Sequence, residues 1–173
     1  MRKYPNILLK NAIKLDMNEI ESAILSELQN NVRLSNKELA ARIGLSPSSC
    51  LERVRKLYKV GAIRGAHADI DPAYLGIGLQ AFVALRLRKH SRAEVLEFHD
   101  YLANLAEVTA LWHVSGGHDF LVQVAVRDTD HLRDVVLDSF TARPEVEHIE
   151  TSLIFKHLRK HELPDLRVEL ANK

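Results

Sequence analysis

The sequence predicts an α+β protein in which a small helical domain precedes a larger domain of strands and helices. Two observations support this division. Residues 1–64 carry 12 Lys and Arg against 6 Asp and Glu, a net charge of +6, whereas residues 65–173 carry 12 against 17, a net charge of −5. Near the same point the spacing of apolar residues changes from helical to alternating. Opposite charges on the two halves indicate two modules, the first of which has a polyanionic partner.

Three helices are predicted in the basic half. An Asn-x-x-Glu capping box begins at Asn18, ahead of apolar residues at helical spacing, and predicts a first helix over residues 18–29. A second capping box begins at Ser35, and Gly44 ends the helix that follows it. Ser46 then caps a third helix, with proline at its first position, that runs to about residue 60.

The alternating pattern begins directly after the third helix. Residues 63–70 alternate in a way that favours a short two-stranded wing. The Asp71-Pro72 pair and the glycines at 76 and 78 interrupt any regular element. We therefore expect a linker with a wing strand over residues 65–79.

The acidic half alternates between strand and helix patterns in the order β-α-β-β-α-β. This order is typical of the ferredoxin-like fold, a four-stranded sheet with helices on one face. The predicted elements are a strand over 80–88, a helix capped by Ser91, strands over 107–115 and 120–126, a helix capped by Asp128 or Thr129, and a strand over 146–155. The predicted domains are an N-terminal arm (1–16), a winged helix-turn-helix (17–64), the linker (65–79), a ferredoxin-like domain (80–160) and a C-terminal tail (161–173).

Composition narrows the class of protein. The chain has 173 residues, of which 46% are hydrophobic and 27% are charged, as in ordinary globular proteins. Cys50 is the single cysteine, so a disulfide scaffold is excluded and a reducing cytosol is favoured. The longest apolar run, Ala81–Leu85, is far short of the roughly 20 residues of a membrane helix. These features predict a cytoplasmic protein.

The second and third helices have the arrangement of a DNA-reading pair. In a helix-turn-helix the second helix of the pair places its N-terminal end in the major groove. Small hydroxyls there allow close approach, Arg53 can contact guanine bidentately, and the other cations suit phosphates. The predicted DNA-binding residues are Ser35, Asn36, Ser46, Ser48, Ser49, Glu52, Arg53, Arg55 and Lys56. The alternative is that these charges form the solvated face of a helix bundle that binds proteins.

Five motifs stand out in the sequence as a set. They are Arg33–Ala40, Leu45–Leu57, Gly61–Gly65, Asp71-Pro72 and the Gly-Gly-His-Asp turn in Ser115–Phe120. Together they resemble the signature of the Lrp/AsnC (feast/famine) transcriptional regulators, and the resemblance covers roughly residues 17–160. Thr151 to Arg159 most resembles an actinobacterial branch of that family that regulates alanine dehydrogenase.

The resemblance implies that the acidic domain binds a small amino acid beside this turn, at contacts between dimers. It also implies a homodimer that assembles further, with octamers typical, and binds double-stranded DNA. From the residues alone, two glycines and Asp119 could hold a zwitterion, or Asp119 could bond only backbone amides of a tight turn. The effector residues that the resemblance implies are His113, Ser115, Gly116, Gly117, His118, Asp119, Thr151, Ser152 and Leu153.

The sequence departs from the family pattern at two places. Met17-Asn18 replaces the Leu-Asp that usually opens the first helix, and His118 replaces a residue that is commonly aromatic, which leaves the identity of the effector open.

The nine histidines raise the alternative hypothesis of a metal-dependent enzyme. Two of them, His157 and His161, are four residues apart. No metal-binding or nucleophile motif accompanies them, so we expect no enzyme, no metal and no cofactor other than the effector.

Overall fold

The computed structural model describes residues 17–88 and 91–165. The predicted N-terminal arm and the last eight residues of the predicted tail lie outside them. The chain divides into two compact units, one comprising residues up to Ala68 together with those from Arg159 onward, and the other comprising Asp69–Leu158. No helix in the described part of the chain is long and apolar enough to cross a membrane.

The first unit contains the three predicted helices. They are α1 (Glu19–Asn30), α2 (Asn36–Arg42) and α3 (Pro47–Lys59). The side chains of Asn18, Ser35 and Ser46 cap them, and the first two belong to complete capping boxes. The helices enclose a small core of Ile24, Leu39, Ala40, Cys50 and Leu57.

The turn between α2 and α3 depends on a glycine. Gly44 has a φ of 69°, in the left-handed region that a side chain disfavours. The N–H of Leu45 donates to the carbonyl of Ala40 over 2.9 Å, which closes the end of α2. Because Ser46 follows at once as the cap of α3, the two helices are joined by the short turn that a DNA-reading pair requires.

The predicted two-stranded wing is not formed within the described chain. Residues 64–71 have no regular secondary structure and are exposed, and a short 3₁₀ turn, Pro72–Leu75, follows them. A strand requires a hydrogen-bonding partner as well as an alternating pattern. No strand in the described residues pairs with this segment.

The second unit has the predicted β-α-β-β-α-β order. Its strands form one antiparallel sheet in the order β2-β3-β1-β4, the ferredoxin-like topology. Its elements are β1 (Leu79–Leu87), α4 (Arg92–Ala103), β2 (Val108–His113), β3 (Phe120–Val126), α5 (Thr129–Val135) and β4 (Val146–Leu153).

The last helix of the second unit, α5, ends earlier than the sequence predicts. The apolar spacing of Leu132, Val135, Val136 and Phe140 predicts one continuous helix, but α5 gives way to a π-helical turn at Val136–Thr141. There the N–H of Ala142 donates to the carbonyl of Leu137, five residues earlier, over 3.0 Å. Phe140 is still completely buried, so the wider turn keeps the apolar side chain in the core.

One face of the sheet is covered by the helices. Phe98 of α4, Phe120 of β3 and Leu132 of α5 belong to the same buried cluster. Alternate residues of β1 and β3 point into this cluster, as the strict alternation of burial along β3 shows. The other face carries the intervening side chains, and no described helix of this unit packs on it.

Candidate DNA-binding surface and ligand site

The N-terminus of α3 is held by a network of short polar side chains. The Ser46 hydroxyl accepts the N–H of Ser49 at 3.2 Å and lies 3.1 Å from the Ser48 hydroxyl. The side-chain amide of Asn36 donates to the Pro47 carbonyl over 2.7 Å, which ties the start of α2 to the start of α3. Four predicted DNA-binding residues therefore also fix the local geometry of the reading helix.

The predicted DNA-binding residues lie at the surface of the first unit. Arg53 and Asn36 are half-buried, and the rest of the set is exposed. Ser35 shares the capping role of Ser46, because its hydroxyl accepts the N–H of Glu38 at 3.2 Å. The exposed members are Ser35, Ser46, Ser48, Ser49, Glu52, Arg55 and Lys56.

A buried carboxylate beneath α3 was not among the predicted site residues. The side chain of Glu21 on α1 is only 2% exposed, and its Oε1 accepts from Lys56 Nζ at 2.8 Å. Arg53 Nη1 lies 3.9 Å from the same oxygen. The hydrogen bond from Lys56 holds the pKa of Glu21 below its ordinary value, and burial opposes that shift only in part. The sequence predicts Glu21 only as part of the capping box, although the position of Glu21 one turn before Ile24 places it on the inner face of the helix.

The Gly-Gly-His-Asp turn joins β2 to β3. Gly116 has a φ of 119°, a backbone conformation that is unfavourable for any residue with a side chain. The turn is closed by the N–H of Val114, which donates to the Asp119 carbonyl over 2.9 Å. Asp119 Oδ2 accepts the backbone N–H of Leu87 at 2.8 Å. The carboxylate therefore bonds a backbone amide of β1, outside its own turn, which is a partner that the sequence did not predict.

The turn reaches the edge strand β4 through His118. His118 Nε2 lies 3.7 Å from Glu150 Oε2, and His148 Nε2 lies 3.1 Å from Glu150 Oε1. His118 Nδ1 is buried and has no hydrogen-bond partner among the described residues. Glu150 was not predicted, although the alternation along β4 puts it on the same face as Ser152.

The remaining predicted effector residues do not all meet at this contact. His113 stacks on Phe120, with the ring centroids 5.0 Å apart, on the face covered by helices. Thr151 and Leu153 pair with Val83 and Ala81, whose side chains face the core, whereas Ser152 pairs with Phe82 on the open face. Within a single chain the turn therefore contacts β4, but the nine predicted effector residues are divided between the two faces of the sheet.

Two cavities in the second unit lie outside this set. One, of about 200 Å³, is lined by residues 77–80 and 154–157. The other, of about 270 Å³, lies beside Glu107 and His131 and is also lined by the linker residues 75–77. Neither is lined by a predicted effector residue, and Ser115, Gly116 and Gly117 of the turn are exposed in the single chain.

The open face of the sheet carries exposed aromatic surface. The rings of Phe82 and Trp112 lie 5.8 Å apart, and Trp112 is 43% exposed. Beside them the side-chain amide of Gln123 donates to Gln80 over 2.9 Å. This face combines large apolar side chains with one hydrogen-bonded pair of polar side chains.

The histidines do not form a metal centre in the described residues. No group of three or more His, Cys, Asp or Glu side chains there is placed to hold a metal ion. His157 and His161 lie in a segment without helix, so their spacing does not put them on one helical face.

A basic three-helix unit with a reading helix, followed by a ferredoxin-like unit, defines a DNA-binding transcriptional regulator with a ligand-binding domain. Residues 17–64 match the family model described as winged helix-turn-helix DNA-binding, and residues 80–164 match the Lrp/AsnC ligand binding domain. The chain belongs to the Lrp/AsnC family of transcriptional regulators, which is not a family of enzymes.

Relatives and solved structures share both domains. The chain is 40% identical to the HTH-type transcriptional regulator AldR of Mycolicibacterium smegmatis, over 83% of this chain and 84% of the relative. It is 34% identical to the leucine-responsive regulatory protein of Escherichia coli (strain K12), over 84% and 88%. A transcriptional regulator from Neisseria meningitidis, solved as an L-Met complex, superposes with a TM-score of 0.79 at 31% identity, over 86% and 96%. The crystal structure of MtbAldR superposes with a TM-score of 0.72 at 33% identity, over 84% and 97%.

Proposed function

We propose that the protein regulates genes of amino-acid metabolism in the cytoplasm and that a small amino acid, bound beside the Gly-Gly-His-Asp turn between dimers, controls it. The observation that carries this proposal is the contact between that turn and β4 through His118 and Glu150. Relatives named leucine-responsive, and a related structure named as an L-Met complex, support an amino-acid effector.

The chemistry of the turn suits a zwitterion. Backbone amides at Gly116 and Gly117 can approach a carboxylate closely because neither residue has a side chain, and a Cβ at either position would meet open space. Asp119 supplies negative charge for an ammonium group, beside its bond to Leu87. Since the turn is an open surface in one chain, a neighbouring dimer would supply the remaining wall of the site.

We place the dimer contact on the open face of the sheet. Phe82, Trp112 and Leu121 offer adjoining apolar surface there, which a second copy would cover. Further assembly of dimers, up to an octamer, would bring the turns of neighbouring dimers together. Such a dimer should favour palindromic half-sites on DNA about one helical turn apart.

Effector binding would change the distance between the DNA-binding units of the assembly, and so change which DNA sites it occupies. Such coupling between two sites typically amounts to about 1–3 kcal/mol, or roughly 5–150-fold in affinity. No metal and no cofactor other than the effector has a role in this mechanism.

Thermal unfolding in the presence of each of the twenty amino acids tests the effector. A ligand of the folded state raises the melting temperature, so we expect at least one amino acid to do so. Asp119→Asn should abolish that rise, whereas Glu147→Gln, a carboxylate of β4 paired with Arg86, should retain it. A wild-type protein that responds to none of the twenty, or an unchanged response in Asp119→Asn, would contradict the proposal.

Light scattering tests the dimer surface. Trp112→Glu should reduce the assembly to monomers, while Leu96→Glu, an exposed apolar residue of α4, should leave its mass unchanged. Equal masses for Trp112→Glu and the wild type would place the dimer contact elsewhere.

A further inference from the structure

Glu21 is unusual in its burial. Within residues 17–88 and 91–165 it is the only charged residue that is buried. It lies on α1, the helix that supports the reading pair, and its carboxylate faces the reading helix α3. A buried carboxylate is strongly destabilising unless it is paired and hydrogen-bonded, so its presence in such a small core requires an explanation.

Both oxygens of Glu21 have partners. Oε2 accepts the N–H of Asn18 at 3.3 Å and completes the cap of α1. Oε1 accepts from Lys56 at 2.8 Å and faces Arg53 at 3.9 Å. The same side chain therefore fixes the start of α1 and contacts two cations that lie one turn apart on α3.

The two cations differ in how fully they remain at the surface. The Lys56 side chain is 59% exposed although its ammonium is bonded to Glu21, and the Arg53 side chain is 32% exposed. A guanidinium has five N–H donors, and at 3.9 Å the Glu21 carboxylate attracts Arg53 as an opposite charge without forming a hydrogen bond to it. Arg53 thus retains its donors for DNA while the buried charge favours its position beside α1.

We propose that Glu21 is a positioning residue for DNA recognition, which holds Arg53 and Lys56 of α3 in the geometry that reads a specific sequence. An Arg can bond a guanine edge with two donors only if its guanidinium is correctly oriented. Without the carboxylate, both flexible cations can turn to the nearest phosphates, which exist at every DNA sequence. Loss of the Glu21 charge should therefore weaken specific binding more than non-specific binding.

The test compares Glu21→Gln with Glu27→Gln. Both variants remove one negative charge from α1, but Glu27 pairs with Arg42 of α2, at 2.8 Å, and not with α3. The probes are a duplex that the wild-type protein selects from a random pool and a duplex of scrambled sequence. The dissociation constants are measured at one salt concentration, on protein shown to be folded by circular dichroism.

We expect Glu21→Gln to lower the ratio of specific to non-specific affinity about 10-fold, which is within the contribution of one good base contact. Glu27→Gln should leave the ratio within about twofold of wild type, since a distant charge acts on both duplexes alike. An unchanged ratio in folded Glu21→Gln would overturn the proposal. If neither affinity changed, Glu21 would serve only the fold, and if both affinities rose equally, it would only reduce the positive charge of the unit.

Glu21→Asp keeps the charge and shortens the side chain by one methylene, and it decides the question if Glu21→Gln does not fold. We expect its ratio to lie between those of the wild type and Glu21→Gln, because the carboxylate is withdrawn from Lys56 but can still cap α1. The positioning role would be equally refuted if Glu21→Asp kept the wild-type ratio while its crystal structure showed the carboxylate no longer bonded to Lys56.

Discussion

Replacing Asp119 with alanine should destabilise the ligand-binding domain even without any ligand. Asp119 Oδ2 accepts the N–H of Leu87 at 2.8 Å, and Leu87 is 1% exposed. The register of β1 against β4 shifts between Arg86 and Leu87, so this carboxylate bonds the strand at an irregular point. Asp119→Ala removes the acceptor and leaves a buried amide without its partner.

The magnitude follows from the hydrogen bond that is removed. Hydrogen bonds to charged groups contribute about 1.5–3 kcal/mol, and an unsatisfied buried amide costs about 1–3 kcal/mol. Asp119 is half-buried, so water can replace part of the interaction, and we expect a loss of about 2 kcal/mol. For a domain of this size that corresponds to a fall in melting temperature of roughly 8–16 °C.

Urea unfolding of the wild type, Asp119→Ala and Asp119→Asn measures this loss. Asn retains an acceptor oxygen for the Leu87 N–H, so about half of the stability should be recovered. An Asp119→Ala protein within about 0.5 kcal/mol of wild type would refute the structural role. This comparison also shows why alanine is a poor probe of the effector at this position, since an absent response would not distinguish weaker ligand binding from a destabilised domain.

Three further predictions follow from the fold. Gly78→Ala should cost about 1–3 kcal/mol in urea unfolding, because a Cβ there would overlap the Arg127 carbonyl oxygen; a neutral effect would show that the backbone at Arg127 can move away. Ser46→Ala should cost about 1 kcal/mol by removing the cap of α3, and unchanged stability would mean that Ser48 replaces it. The hydrogen bond from Lys56 lowers the pKa of Glu21 in the folded state. The ionised Glu21 side chain therefore stabilises the fold fully above its unfolded-state pKa, and this contribution is lost as the pH falls through its folded-state pKa. Wild type should therefore lose more stability than Glu21→Gln as the pH falls below 4.5, the ordinary pKa of a glutamate, and parallel pH profiles would contradict this.

Much of the architecture could be predicted because the local signals agree with one another. Asn18, Ser35 and Ser46 each cap a helix where the sequence predicts a start, and the order of strands and helices is confirmed. Caps and periodicity depend on residues within one or two turns, so a sequence displays them directly.

The features that could not be predicted depend on distant partners. The wing pattern over 63–70 is real, but a strand forms only if another strand offers hydrogen bonds. The burial of Glu21 depends on Lys56, 35 residues further along the chain. The tail contacts α1, where Ser26 donates to Glu162 Oε1 over 3.2 Å, and no periodicity in the tail indicates that contact.

The predicted site residues illustrate the same limit. The residues alone identify the turn around Asp119 as a candidate site, and the family resemblance adds the strand around Ser152. It does not show that His118 meets Glu150, because the pairing of β4 with β1 decides which side chains share a face.

The salt dependence of DNA binding tests the central claim most directly, namely that the basic unit binds DNA through α3. For a dimer that contacts about six phosphates, affinity should fall on the order of 10³-fold between about 50 and 200 mM salt. Arg55→Ala, an exposed cation of α3, should make the plot of log affinity against log salt shallower by about one unit per protomer bound. An affinity independent of salt, or an Arg55→Ala slope equal to that of the wild type, would contradict the account.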